Sequence, residues 1–575
     1  VNYGAVNKLI LTFRSVAISL LLQQFLCSAS CDERHEILAE ENVISTLSGD
    51  IESRHGMTLK GRVVTDSGCG LSGVVVSDGI TTTATDENGC YWLPSRKETG
   101  YVFVSLPGDY TAYCNGSRPQ FFQYTILPSD EEERHDFTLK PVDNSSYVVL
   151  VQTDQHLAGR NDDVRQFSNG FIPDINAIIA KYREQSMPVY SISLGDMSWD
   201  RFWYDNDFDI SASARLFDKV DCPVFHATGN HDNDPYCAGD WAASEKFRKT
   251  LAPTYYSFNI GRVHYVILDN VVYNNTGGAD GTMGERDYDK FITDAQFRWL
   301  QSDLEHVADR SAPLVVAAHV PFHKTPALAG SNGDQVSERG LDGMDRLEEL
   351  LADFTDVTML SGHLHRNWTV GNPSADRIVE YNVASVCASL WWTGSPGYAD
   401  NHICADGSPG GYGVLEIDNT DHRYRYKSIG YDDDYCFRVY DLNTVLIDRS
   451  SVGNKKYRNQ VDEYAGVYGR KNDRNEILVN VFCFGPGWSV DITENDRPLK
   501  VKRVKAKDPL HILSYECRSL DNGRKPSSVT KNSIHFFKAT ASSATSPVTV
   551  TVTDSWGRRY TQTVERPKAF SMSMH

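Results

Sequence analysis

Five short apolar runs in the middle of the chain each end in side chains that can ligate a metal ion. The runs span residues 147–152, 189–194, 223–227, 314–318 and 357–360. Helical patterns alternate with them at 173–185, 293–308 and 344–354. Continuous apolar runs between helices are typical of strands buried on both faces of an α/β body. Because the polar ends of such strands meet at one edge of a sheet, the sequence predicts a functional site there.

The residues that follow these runs have the chemistry of a two-metal site. In chain order they are Asp154, His156, Asp196, Asn230, His231, Asp232, His319, His363 and His365. Two divalent cations about 3.5–4 Å apart need a bridging carboxylate and a mixed shell of imidazole and oxygen ligands. Asp196 suits the bridge, and Asn230 adds an oxygen without adding charge.

In this order the motifs D-x-H, G-D, G-N-H-[DE], a single H and G-H-x-H resemble the signature of the calcineurin-like metallophosphoesterases. The resemblance covers about residues 155–365. It implies a four-layer α/β/β/α sandwich, with His231 as proton donor to the leaving group and Asp232 orienting its ring. It also implies two ligand sets that share one carboxylate: Asp154, His156, Asp196 and His365 for one metal, and Asp196, Asn230, His319 and His363 for the other.

A divalent cation lowers the pKa of bound water to about 7, so a metal-bridging hydroxide is the predicted nucleophile. Purple acid phosphatases place a tyrosinate three residues after the bridging aspartate, where this chain has Trp199. That difference disfavours a ferric ion. The ligand set fits manganese, zinc or ferrous iron better than magnesium.

Four residues are weaker candidates for contact with a substrate. His323 follows the fourth run, and three tryptophans offer a stacking wall: Trp199, Trp391 and Trp392. Packing or ordinary exposure is the competing interpretation for each of them.

The composition changes along the chain predict a multidomain α+β protein. Residues 57–142 resemble a transthyretin-like β-sandwich, 145–400 contain the phosphoesterase motifs, and 401–575 return to β patterns. This layout resembles exported bacterial phosphoesterases that have β-domains at both ends. A polar stretch, 31–56, is expected to be a linker.

The first thirty residues have the layout of a secretory signal, with a basic start, an apolar stretch and small residues before Cys31. The segment ending at Cys31 resembles a bacterial lipoprotein cleavage box, which predicts a lipid anchor on that cysteine. Asp32 and Glu33 resemble surface-export signals of Gram-negative bacteria, so the periplasm, outer membrane or cell surface is expected. Ordinary cleavage after Ser30 is the alternative.

The net charge of -19 disfavours a nucleic-acid substrate, because such binding depends on cations that replace counterions on phosphates. The expected partner is a small phosphorylated molecule, such as a nucleotide, a phospholipid head group or a phosphorylated sugar, and no obligate protein partner is inferred. Monoesterase, phosphodiesterase and nucleotide pyrophosphatase activities remain open, because the loops 200–215 and 270–292 name no ligand. An inactive surface carbohydrate-binding lipoprotein is an alternative of another class.

Overall fold

The computed structural model describes residues 49–329, 334–392, 402–527 and 529–574. The middle of the chain forms two β-sheets that share one hydrophobic core, with helices on the outside. This is the α/β/β/α arrangement expected from the sequence, and the α+β fold class is confirmed.

The first central sheet has five strands, and its first three neighbours are parallel. In spatial order the strands are Val224–His226, Val189–Ser193, Ser146–Gln152, Gly411–Asp418 and Asp421–Ser428. The last two strands run antiparallel to their neighbours. All five residues of Val189–Ser193 are buried, as expected for a strand covered on both faces.

The second central sheet has six strands, of which the inner four are parallel. In spatial order they are Tyr256–Ile260, Val263–Ile267, Leu314–Ala317, Val357–Ser361, Ile378–Asn382 and Trp368–Val370. Two small hairpins lie outside it: Val272–Tyr273 with Tyr288–Asp289, and Ala327–Ala329 with Asp334–Val336.

The helices of the central region include the three predicted from the apolar spacing, with somewhat different bounds. Ile172–Arg183 buries isoleucines at positions 172, 175, 178 and 179, which form one helical face. Thr293 caps Asp294–Leu304 by accepting a hydrogen bond from the Gln296 amide. The remaining helical segments are Asp163–Gln166, Phe167–Phe171, Asp200–Phe202, Ile210–Phe217, Asp240–Ala243, Glu245–Thr250 and Met344–Leu350.

The N-terminal part is a small sandwich of two sheets. One contains Leu59–Thr65, Cys90–Leu93, Tyr110–Ala112, Glu133–Arg134 and Phe137–Pro141, and the other contains Val75–Ser77, Thr82–Ala84, Tyr101–Ser105 and Phe122–Tyr124. A short hairpin pairs Cys114–Asn115 with Arg118–Pro119. The predicted linker ends against this sandwich, because Ile51 is buried and its carbonyl accepts a hydrogen bond from Lys60 Nζ at 2.7 Å.

The C-terminal part also consists of two sheets, together with short helical turns. One sheet contains Phe437–Asp441, Glu476–Val481, Ser533–Thr540 and Lys502–Ala506, and the other contains Arg497–Pro498, Ser489–Glu494, Val548–Thr553 and Arg559–Val564. The helical turns are Arg449–Ser451, Arg458–Val461, Asp462–Ala465, Gly466–Gly469, Pro509–His511, Ile512–Cys517 and Arg518–Asp521.

The pairing of strands bears on the predicted domain boundary at residue 400. Gly411–Asp418 pairs with Ser146–Gln152 along its length, so the central sheet continues past residue 400. We therefore propose that the C-terminal domain begins between Ser428 and Phe437, where the next sheet starts. The other domain limits stay predictions.

The predicted signal segment and the Cys31 anchor lie outside the described residues. Within residues 49–329, 334–392, 402–527 and 529–574, no helix combines the length and apolar character needed to cross a bilayer.

Candidate metal centre

The strand ends bring the seven predicted ligands together in two adjoining groups. In the first group His156 Nε2 lies 2.9 Å from His365 Nε2 and 3.4 Å from Asp154 Oδ1. His365 Nε2 lies 3.2 Å from the same Asp154 oxygen, and Asp196 Oδ2 is 3.6 Å from His156 Nε2. Donor atoms at these separations are close enough to ligate one ion together.

The second group meets the first at Asp196. His319 Nε2 lies 3.2 Å from Asp196 Oδ2 and 3.1 Å from Asn230 Oδ1. His363 approaches through its other ring nitrogen, since its Nδ1 lies 3.2 Å from His319 Nε2. One carboxylate oxygen therefore faces both groups, which is the position of a bridging ligand.

The chemistry of the donor atoms fits cations. Asp154 Oδ1 is buried and has no hydrogen-bond partner, although it faces two imidazoles. A buried carboxylate oxygen without a donor is costly unless a cation neutralises it. Three sets of His, Cys, Asp or Glu donors in this region have mutual distances short enough to hold a metal ion.

Five of the seven predicted ligands have a left-handed backbone, which non-glycine residues adopt rarely. Their φ angles are 54° for Asp154, 44° for His156, 54° for Asp196, 67° for His363 and 52° for His365. Such conformations cost energy and persist where the surrounding structure enforces them, typically at functional sites. These residues follow the ends of separate strands, where the backbone turns sharply and directs each side chain toward the metal centre.

Backbone carbonyls fix the direction of two histidine rings. His319 Nδ1 donates to the Leu194 carbonyl at 2.9 Å, and His365 Nδ1 donates to the Ala388 carbonyl at 3.1 Å. With a proton on Nδ1, each ring turns its Nε2 toward the centre, where that atom would bind a cation in place of a second proton. Orienting hydrogen bonds of this kind are usual for histidines that ligate metals.

The electrostatics of the centre suit bound positive charge. Burial lowers the pKa of His156 to about 4, and burial together with the nearby His319 lowers the pKa of His363 to about 3. Both rings are therefore neutral near pH 7 and keep a free lone pair. Burial opposes a charge on His319 as well, but Asp196 outweighs it and raises the pKa of that ring to about 9.

His231 lies beside the centre and is held by a residue that the sequence analysis did not single out. Its Nδ1 is 2.8 Å from Asp200 Oδ1, and its backbone amide donates to Asp196 Oδ1 at 2.7 Å. Arg286 binds both oxygens of Asp200 at 2.6 Å. Burial disfavours a proton on His231, but Asp196 and Asp200 outweigh burial and raise its pKa.

The expectation that Asp232 orients the His231 ring is wrong. The Asp232 carboxylate turns the other way and accepts from the amides of Ser198 at 3.0 Å and Gly229 at 3.1 Å. Burial and the nearby Asp196 raise its pKa to about 7. Asp232 therefore braces the two loops that carry Asp196 and Asn230, and the carboxylate that contacts the His231 ring is Asp200.

The loop 270–292 supplies two further side chains that the sequence analysis did not name. Tyr288 Oη and Lys290 Nζ each lie 3.5 Å from His363 Nε2, the ring nitrogen that faces away from His319. In the sequence, Tyr288 and Lys290 stand out only because they lie in the loop 270–292, which is expected to line the site. Cys387, also unforeseen, is buried with its Sγ 3.8 Å from His365 Nδ1.

The four weaker candidates occupy different environments. Trp199 does lie at the centre, with its ring centroid 5.5 Å from that of His156 and 6.0 Å from that of His231. Trp391 is buried, and its indole donates to the Gln155 carbonyl at 2.6 Å, so it packs beneath the site. Trp392 donates to Ser519 Oγ at 3.3 Å, and His323 Nδ1 pairs with the buried Glu380 at 2.8 Å. Those last three contacts are structural.

Three family models match successive parts of the chain. The model described as calcineurin-like phosphoesterase matches residues 147–367. The models for the N-terminal and C-terminal parts of calcineurin-like phosphoesterases match residues 57–142 and 380–560. The chain belongs to the calcineurin-like phosphoesterases. The modular three-part layout expected from the sequence agrees with these matches.

Among curated relatives of this calcineurin-like phosphoesterase is purple acid phosphatase 23 of Arabidopsis thaliana. It is 28% identical over 153 residues, which are 25% of this chain and 28% of that protein. The match thus spans well under two thirds of the relative's length.

Solved structures with partial similarity include a 5'-nucleotidase from Candida albicans, at 14% identity and a TM-score of 0.30, covering 49% of this chain and 50% of that one. The NAD nucleotidase of Haemophilus influenzae is 12% identical with a TM-score of 0.27, covering 49% of this chain and 55% of the other. At such values no conclusion about substrate follows.

Proposed function

We propose that this chain is a metal-dependent hydrolase of phosphate esters on small molecules. The observation that supports it best is the pair of donor groups that share Asp196, with the orphaned Asp154 oxygen facing two imidazoles. Family membership supports the same reaction class. Manganese, zinc or ferrous iron suits the donors better than magnesium, because each group contains two imidazole nitrogens and magnesium prefers oxygen ligands.

In this proposal the two ligand sets each hold one divalent cation. When bound, the cations would activate a water molecule for attack on phosphorus and offset the charge that builds up on the phosphoryl oxygens. The protein side chains supply the remaining steps, which are proton transfer and orientation of the proton donor. His231, kept protonated by its acidic neighbours, donates a proton to the leaving oxygen, and Asp200 holds its ring in place.

Arg286 has a supporting role in this arrangement. Its guanidinium binds Asp200 through two nitrogens and lies 3.4 Å from His231 Nδ1. A bidentate ion pair fixes the orientation of the carboxylate and also stabilises its negative charge. The carboxylate therefore presents one defined oxygen to the histidine.

The proposal is tested by removing and restoring metal. Dialysis against a strong chelator should abolish hydrolysis of a panel of phosphorylated metabolites, and added Mn²⁺, Zn²⁺ or Fe²⁺ should restore it with about two ions per chain. The panel should contain monoesters, diesters, nucleotides, phospholipid head groups and sugar phosphates. Full activity in metal-free protein would refute the proposal.

The location outside the cytoplasm, with a lipid on Cys31, remains part of the proposal. It rests on the composition of residues 1–33. Mass spectrometry of the protein purified from membranes of a Gram-negative host should find a diacylglyceryl group on that cysteine. An N-terminus at Cys31 without lipid would support ordinary cleavage after Ser30.

Lys290 is expected to favour monoesters over diesters. A monoester dianion carries one more negative charge than a diester, and Lys290 Nζ is exposed beside the ring of His363. We expect Lys290→Met to lower kcat/KM for an aryl phosphate monoester about 10-fold more than for the corresponding diester, as the loss of one partly screened charge contact would do.

The matched control is Lys324→Met, since that lysine is exposed and pairs with Glu338 at 2.9 Å. It should change neither value. Equal losses for both substrates in Lys290→Met would mean that the lysine does not discriminate between them.

A further inference from the structure

Residues 385–392 form a loop, the 385–392 loop, directly beneath the metal centre. The Ala388 carbonyl accepts the hydrogen bond that directs the ring of His365, at 3.1 Å. The Cys387 amide donates to the Asp154 carbonyl at 3.3 Å, and the Trp391 indole donates to the Gln155 carbonyl at 2.6 Å. The loop therefore contacts two of the three segments that supply the first ligand group.

This loop has a backbone that it would not adopt on its own. Ala388, Leu390 and Trp391 have φ angles of 49°, 58° and 58°, and none of them is glycine. Three left-handed residues within four positions are unfavourable, so other contacts must hold them. Some lie within the loop, where Ser385 Oγ donates to the Ala388 carbonyl at 2.8 Å, and others come from outside it.

The outside contacts come from Ile403 and from the C-terminal domain. The Ser389 hydroxyl donates to the Ile403 carbonyl at 3.0 Å, which leaves its oxygen to accept from His511 Nε2 at 2.8 Å. At the far end of the loop, the Trp392 indole donates to Ser519 Oγ at 3.3 Å. His511 and Ser519 both belong to the helical turns between residues 509 and 521.

His511 is itself held on its other edge. Its Nδ1 lies 2.7 Å from Thr530 Oγ1, and Thr530 donates to Glu516 Oε1 at 2.6 Å. These three residues are buried, as Ser389 is. The other carboxylate oxygen, Glu516 Oε2, has no hydrogen-bond partner and lies 3.6 Å from His511 Nδ1. Hydrogen bonds that connect buried polar groups couple the position of one member to the next.

We propose that the C-terminal domain positions the metal ligand His365, and that His511 is the positioning residue through which it does so. The connection runs from Glu516 and Thr530 through His511 to Ser389, and then through Ala388 to the His365 ring. The contacts of His511 are with Ser389, Thr530 and Glu516, and none of these is a predicted metal ligand. The inference rests on the proposed function only in taking His365 as a ligand.

The inference predicts a selective loss of one metal. In full-length protein, His511→Leu should weaken one of the two Co²⁺ or Mn²⁺ equivalents about 10- to 100-fold, the range for residues that orient a ligand, and leave the other equivalent unchanged. The visible spectrum of Co²⁺ bound at the first group should change, and kcat should fall while KM changes less than about 3-fold. The affinities are measured by calorimetry.

Two further variants separate positioning from stability. His511→Gln keeps a donor near the position of Nε2, so it should restore the metal affinity to within about 3-fold of the wild-type value. Tyr468→Phe removes a part-buried hydrogen bond of 2.7 Å to the Lys507 carbonyl in the same domain and leaves the contact between His511 and Ser389 in place. It should lower the melting temperature without changing metal affinity.

Ser389→Ala removes the hydrogen bond between Ser389 and His511 from the loop side. It tests the positioning role if His511→Leu does not fold. Wild-type affinity for both metal equivalents in the folded Leu or Ala variant would overturn the inference, whatever the melting temperature. A wild-type protein that binds no metal pair would instead refute the proposed function, so that measurement comes first.

Discussion

Asp196→Asn is expected to lower kcat by on the order of 1000-fold or more, which corresponds to a barrier increase of about 4 kcal/mol. The reason is that Asp196 Oδ2 faces both donor groups, at 3.2 Å from His319 Nε2 and 3.6 Å from His156 Nε2. An amide in its place would offer a neutral oxygen to both groups and weaken the binding of both ions. Metal analysis should accordingly find fewer than two ions per chain.

The matched control for this variant is Asp303→Asn. Asp303 is also a buried carboxylate and accepts from Ser257 Oγ at 2.6 Å, but it contacts none of the predicted ligands. It should lose stability and keep both metal content and kcat per folded molecule. Turnover that survives Asp196→Asn at the wild-type rate would show that another site performs the reaction.

His231→Gln is expected to have a large effect that depends on the leaving group. With an alkyl phosphate, whose leaving oxygen needs a proton, kcat should fall about 10²- to 10⁴-fold. With 4-nitrophenyl phosphate, whose leaving group departs as an anion, the loss should be under about 10-fold. Metal content should stay at two ions per chain. Equal losses with both substrates would argue against proton donation by this residue.

Asp200→Asn tests the partner of the same histidine through pH. The carboxylate raises the pKa of His231, so its removal lets the ring lose its proton at a lower pH. Because the protonated ring is the active form, the high-pH limb of the kcat profile should move to lower pH. Asp232→Asn should leave that limb in place, since its carboxylate binds backbone amides and not the ring.

Much of the site could be predicted from the sequence, because an apolar run followed by polar residues marks the end of a buried strand. Each predicted ligand follows an apolar run by a few residues, and the sheets bring those ends to one place. Local patterns of this kind are read directly from the order of apolar and polar residues. They fix which residues meet without fixing which way each side chain turns.

That limit explains the exchange of Asp232 for Asp200. Asp232 is adjacent to His231 in the chain, but the tight turn directs their two side chains to different sides. The Asp232 carboxylate faces the amides of Ser198 and Gly229. Asp200 is distant in sequence, but a short helical turn at Asp200–Phe202 folds it back toward the ring. The only hint was an aspartate four residues after Asp196, and the pairing depends on tertiary contacts.

The sheet that residues 411–428 join could not be predicted for a similar reason. The strands Gly411–Asp418 and Asp421–Ser428 have the same β pattern as the sheets after Phe437. Nothing in their periodicity says which sheet they join. The choice is made by pairing with Ser146–Gln152, a contact between segments far apart in the chain.

The late arrival of that partner strand affects how the protein can be made. Val148 pairs with Glu416, so a nascent polypeptide must hold its central strand open until more than two thirds of the chain has emerged. Contacts between such distant segments form slowly, and an uncovered strand edge invites association with other chains. Any fragment that stops before Gly411 should therefore be a poor choice for expression, even though every predicted ligand lies within it.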